Sequence, residues 1–107
     1  MLLEGTHLLQ ELLARGKAPE EIIATEVWLE RHPELAERCS QARWRIVTDE
    51  VLRAALTTVT PDGVACLSPL KALPTVPSVL DYVLVLDRIQ DPGNLGTLLR
   101  TALAADV

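Results

Sequence analysis

Late in the sequence, Asn94 and Arg100 stand six places apart in LDRIQDPGNLGTLLRTALAADV, residues 86–107. A guanidinium is permanently charged and carries five fixed donors, so it can hold a phosphate or stabilise a developing oxyanion. A side-chain amide both donates and accepts, so it can shape a polar site or cap a helix. Leu95, Leu98, Leu99 and Ala102 repeat at i, i+3, i+4 and i+7, which predicts a helix with one buried face and Arg100 off it. Asn94 is expected as its N-cap. Gly93 would permit an unusual backbone angle, and Gly96 would leave room for a close neighbour. Three chemistries fit this spacing. One is a plain α/β unit with a surface arginine. Another is a phosphate loop, although Gly93-x-x-Gly96 lacks both G-x-G-x-x-G and a G-K-[ST] ending. The third is a polar pair at the carboxyl end of a strand, where α/β proteins build ligand sites.

The strand that would position this pair is YVLVLD (82–87), apolar at almost every place, as a strand covered on both faces would be. Before it lies PLKALPTVPSVLD, whose Pro69, Pro74 and Pro77 resist both helix and central strand and read as a linker. Upstream, GTHLLQELLARG puts Leu8, Leu9, Leu12 and Leu13 on one helical stripe ending at Gly16. Glu4, Gly5 and His7 are expected to begin that helix. Ile22, Ile23 and Ala24 lean to strand, His32-Pro33 restarts a helix, and WRIVT (44–48) and VACLS (64–68) are short strands. Between the last two, Asp49 and Glu50 open a helix with the stripe Val51, Leu52, Ala55 and Leu56. Thr60-Pro61-Asp62-Gly63 then supplies turn chemistry. Helices alternating with short apolar strands predict an α/β sandwich.

With 107 residues the chain can hold one small domain and part of another. The core must come from Leu, Val, Ile and Ala, because there is no Phe and aromatics are 3%. A net charge of −5 is the wrong sign for a dedicated nucleic-acid binder, and residues 1–75 hold 8 basic against 11 acidic side chains. Any RNA contact must therefore be local. Arg43 and Arg45 around Trp44 form the best basic-aromatic cluster, suited to stacking plus charge, although Trp44 itself reads first as a core or partly covered residue. Trp28 and Leu29 read as core, and His32 as a helix-start residue. Cys39 and Cys66 lie 27 positions apart without a Cys or His at ligand spacing, so reduced packing thiols and no metal site are expected. The start lacks a secretory pattern, and no apolar run reaches the ~18 residues of a membrane span. A cytoplasmic protein is expected.

LDRIQDPGNLGTLLRTA closely resembles motif 1 of the SpoU-type (TrmH-like) branch of the SPOUT RNA methyltransferases. The match falls on Asp91, Pro92, Asn94, Gly96, Leu99, Arg100 and Ala102. Upstream, Glu4-Gly5 and the turn Thr60-Pro61-x-Gly63-Val64 resemble that family's small substrate-binding domain, so the resemblance covers essentially the whole chain. It implies an α/β/α RNA substrate-binding domain with a mixed sheet over residues 1–70. A proline-rich linker over 71–80 would follow, then the first strand–helix unit of an incomplete knotted SPOUT domain over 81–107. The activity implied is transfer of a methyl group from S-adenosylmethionine to a ribose 2′-hydroxyl of rRNA or tRNA. Arg100 would act on that hydroxyl as a base or as an electrostatic stabiliser, with Asn94 shaping the site. Gly5, His7, Arg43, Arg45, Thr60, Pro61 and Gly63 would face RNA. Many relatives have Gln where Asp62 stands here, and a carboxylate there would repel phosphate. The family's Gly-rich and Ser-Leu-Asn cofactor motifs do not occur before Val107, so this polypeptide alone is expected neither to bind the cofactor nor to methylate. The resemblance also implies a homodimer formed through the knotted domain. The alternative is a non-catalytic RNA- or protein-binding α/β module.

Overall fold

The structure, a computed structural model, describes residues 1–72, 75, 78, 79 and 81–107. It opens with a strand that the sequence pattern does not announce, β1 (Leu2–Glu4). Three residues are too few to show a period, and β1 is defined by its antiparallel pairing with a strand sixty residues away. Helix α1 (Thr6–Ala14) follows, then β2 (Glu21–Ala24), α2 (Glu26–Arg31), α3 (Pro33–Arg38), β3 (Arg43–Ile46), α4 (Asp49–Ala55) and β4 (Val64–Leu67). A single 3₁₀ turn spans Leu70–Ala72, and α5 spans Pro92–Ala104. No helix among the described residues is long and apolar enough to cross a membrane.

The sheet has the order β1-β4-β2-β3 and is mixed: β2 pairs parallel with β3, and β4 antiparallel with both β1 and β2. The predicted small α/β unit with a mixed sheet is present. Register sorts the side chains. Leu3, Cys66, Ile22 and Trp44 lie in one cross-strand row, with Val64 and Ala24 on the same face. Against that face pack Leu9 and Leu12 of α1, Trp28 of α2 and Cys39, forming the main core. The opposite face carries Ala65, Glu21, Arg43 and Arg45, and Leu52 of α4 is fully buried outside the main cluster.

Several helix details follow from capping chemistry. The C-terminus of α1 closes with Gly16 at φ +68°, its N–H donating to Leu13 and that of Lys17 to Leu12, a Schellman arrangement. Helices α2 and α4 start at Thr25 and Thr48, whose hydroxyls accept from Trp28 N–H (3.2 Å) and Val51 N–H (3.4 Å). Two predicted stripes are wider than the buried ones. Only Leu9 and Leu12 of α1 and Leu52 of α4 are buried, while Leu8 and Val51 are exposed.

The chain divides into two compact units, Met1–Pro74 and Thr75–Val107. Pro74 and Pro77 of the expected linker lie outside the described residues. Within the second unit two expectations are corrected. Residues 82–87 form no strand, because a strand's hydrogen bonds come from a neighbour and these have no ladder partner among the described residues. Helix α5 is capped by Asp91 rather than Asn94. The Asp91 carboxylate accepts from Gly93 N–H at 3.1 Å, Pro92 takes the first helical position, and Asn94 falls inside the first turn. None of the predicted apolar face of α5 is fully buried.

Candidate functional site

The Glu4-Gly5 pair and the Thr60–Val64 turn, nearly sixty residues apart, meet where β1 runs into α1. Gly5 makes the turn at φ +103°, and its N–H donates to Val64 O at 2.9 Å. Glycine has no side chain to cap α1, so the cap comes from the other segment: Thr6 N–H donates to Asp62 Oδ2 at 2.9 Å. Asp62 is thus held at a helix N-terminus, where a carboxylate is favoured. The Trp28 indole N–H donates to Thr6 Oγ1 at 2.8 Å, fixing the helix start to the core.

Gly63, at φ +104°, is buried behind this junction. A Cβ there would lie 2.9 Å from Trp28 Cβ and 3.1 Å from Thr25 Oγ1. Its role in the structure is close packing.

Glu4 is the most heavily engaged side chain of the junction. Its carboxylate accepts from Thr57 N–H (3.0 Å), Thr57 hydroxyl (2.8 Å), Thr58 N–H (2.8 Å) and Thr58 hydroxyl. Those bonds, led by the Thr58 hydroxyl and then the Thr57 N–H, hold its pKa down at about 2. The result is a surface pocket of about 240 Å³ whose lining includes Glu4, Gly5, His7, Thr58, Thr60, Pro61 and Asp62. Of the residues expected to face RNA, Gly5, His7, Thr60 and Pro61 are brought together here. The Glu4–Thr57–Thr58 clamp was not legible beforehand, because the acceptor and its donors are separated by over fifty residues.

Arg43 and Arg45 lie elsewhere, and the structure separates them from Trp44. Both guanidiniums pair with Glu21, Arg43 at 3.5 Å, on the sheet face opposite Trp44. Trp44 is half-buried against the core with its N–H donating to Cys39 O at 3.1 Å. Strand alternation makes a stacking-plus-charge cluster of three consecutive residues impossible here. Another cavity, of about 520 Å³, opens beyond Ile46. Its lining includes Thr25, Glu26, Val27, Arg31, Ile46 and Asp49.

In the second unit, Arg100 is exposed on α5 and folds along its own helix. Its Nη2 donates to Thr97 Oγ1 at 3.3 Å, and the Thr97 hydroxyl donates to Gly93 O at 3.1 Å. A Cβ on Gly96 would sit 3.3 Å from Arg100 Nη1, so the neighbour for which Gly96 leaves room is that guanidinium. Thr97, which sequence reasoning passed over, thus orients Arg100. Asn94 is six residues earlier, which on a regular helix is ~9 Å along the axis and ~120° around it. The two side chains therefore leave α5 in different directions, and α5 alone does not join them.

No family model matches the chain. Among curated proteins, it is 46% identical over its whole length to an uncharacterized tRNA/rRNA methyltransferase of Synechocystis sp., covering 40% of that protein. It is 35% identical to 23S rRNA (guanosine(2553)-2′-O)-methyltransferase RlmP of Bacillus subtilis, over 97% of this chain and 40% of that one. Against mitochondrial rRNA methyltransferase 3A of Danio rerio it is 34% identical, over 98% of this chain and 26% of that one. The chain therefore spans between a quarter and two-fifths of the curated relatives it matches.

Proposed function

We propose that this chain, a relative of the tRNA/rRNA methyltransferases over its whole length, is the RNA-recognition unit and first catalytic motif of a SpoU-type 2′-O-ribose methyltransferase. The observation that carries the proposal is that similarity to RNA methyltransferases covers 97–100% of the chain in the first two relatives, including both the Glu4–Asp62 junction and α5. The relative from B. subtilis is named for 2′-O methylation of 23S rRNA, which makes a ribose hydroxyl of ribosomal RNA the substrate we favour.

Methylating a ribose hydroxyl requires the oxygen to approach an electrophilic methyl group while losing its proton. The guanidinium of Arg100, oriented by Thr97, would face that oxygen and stabilise its developing negative charge. Asn94 would contribute to the same site with residues from outside α5. S-adenosylmethionine would supply the methyl group. The parent would act as a dimer through its knotted domain.

The test is methyl incorporation from labelled S-adenosylmethionine into an unmodified 23S rRNA transcript by the full-length parent protein. The expected product carries a 2′-O-methyl ribose, and Arg100→Ala should lower the rate by roughly a hundredfold or more. An Arg100→Ala enzyme working at the normal rate would remove Arg100 from the site. RNA binding without methylation of any rRNA or tRNA would leave a non-catalytic module.

A further inference from the structure

A groove of about 680 Å³ lies between α1 and the corner where α2 passes into α3. Helix α1 contributes Gln10 and Ala14 to its lining, and the corner contributes Arg31, His32 and Arg38. Both arginines are exposed, and neither takes part in an ion pair among the described residues. By contrast, Arg43 and Arg45 pair with Glu21, and Arg53 pairs with Asp49.

Arg31 and Arg38 each stand in the last turn of a helix, where a cation is favoured. That accounts for either residue alone. It does not require two unpaired guanidiniums to line the same groove. Glu34 is the single carboxylate of the lining, so the groove stays net positive in a chain of net charge −5. His32, between the arginines in the chain, is firmly held. Its ring stacks on Trp28 with centroids 4.8 Å apart, and its Nδ1 donates to Trp28 O at 3.0 Å, which leaves Nε2 free for a ligand. Strand alternation splits Arg43 and Arg45 from Trp44, whereas the helix corner brings Arg31, Arg38 and an imidazole into one lining.

The chemistry of the lining names its ligand. Guanidiniums meet phosphate oxygens through paired donors, and the Gln10 amide adds a donor for phosphate or sugar. Ala14, Pro33 and Leu35 supply apolar surface beside them, on which a ribose can rest. A positive groove with this mixture suits a chain of alternating phosphates and sugars.

Building on the RNA-recognition reading above, we propose that this groove holds the sugar–phosphate backbone of the bound RNA, with Arg31 and Arg38 on phosphates.

The test is equilibrium binding of the 107-residue chain to an unmodified 23S rRNA transcript across a salt series. Arg31→Gln and Arg38→Gln should each weaken binding roughly tenfold at low salt. Each should also make the slope of log affinity against log salt shallower by roughly 1, and the double variant by roughly 2. Arg31→Lys and Arg38→Lys should keep most of the slope, because a point charge still displaces a counterion. Arg53→Gln removes the same charge from α4, outside the groove, and should leave the slope at its wild-type value. Wild-type affinity and slope in the double variant, or an equal loss in Arg53→Gln, overturns the groove while leaving RNA recognition standing. A wild-type chain that binds no RNA overturns both readings. Capture of poly-glutamate by that chain, lost in the double variant, would make the groove a site for acidic peptide instead.

Discussion

Glu4 shows how one side chain can join distant parts of a chain and set a pH limit on them. An ordinary glutamate titrates near 4.5, and four donors hold this one at about 2. The unfolded chain therefore takes up this proton before the folded one does as pH falls. The stabilisation is complete above about 4.5 and disappears as pH drops toward 2. Thermal melts should show the wild type above Glu4→Gln at pH 7, with the gap constant down to about pH 5 and closing between 4.5 and 2. A gap independent of pH across that window would mean that the carboxylate's charge does not hold the loop. Arg43 and Arg45 both pair with Glu21, while their own side chains stay largely exposed.

Helices and strands differ in how much of their bonding they carry with them. Helix α5 closes its own hydrogen bonds, receives its cap from Asp91 and ends with Asp106 N–H on Leu103 O and Val107 N–H on Ala102 O. It forms without any buried residue. The apolar run 82–87 has the apolar side chains of a strand and still has no ladder among the described residues, since its partners would have to be other strands. Hydrogen exchange should therefore be fast at the amides of residues 82–87 and slow at Ile22 and Ala24, which sit between two strands. Equal protection in the two segments would contradict this account.

Across the first unit, the core places two thiols out of reach. Cys39 and Cys66 are free and buried, and burial pushes the Cys66 thiol up to about 11 and raises that of Cys39. The reactive thiolate is scarce at neutral pH, and access requires the sheet to open. Labelling with a thiol reagent should thus proceed at the rate of unfolding and accelerate together with loss of tryptophan signal in denaturant. Fast labelling of both thiols in the native chain would refute that placement.

Composition and periodicity determined much of this protein. Ile22–Ala24, Trp44–Ile46 and Val64–Leu67 were legible as strands and Leu9, Leu12 and Trp28 as core, because burial writes a local pattern of apolar residues. Asn94 and Arg100 were singled out by the resemblance of residues 86–102 to a family motif, a match of residue types within one segment. Pairing decided the rest. Strand β1, the missing strand at 82–87, the separation of Trp44 from its arginines and the closure of Glu4 onto Thr57 and Thr58 all depend on bonds between segments far apart in the chain. Such bonds leave no period in the sequence, and only the folded backbone brings their two ends together.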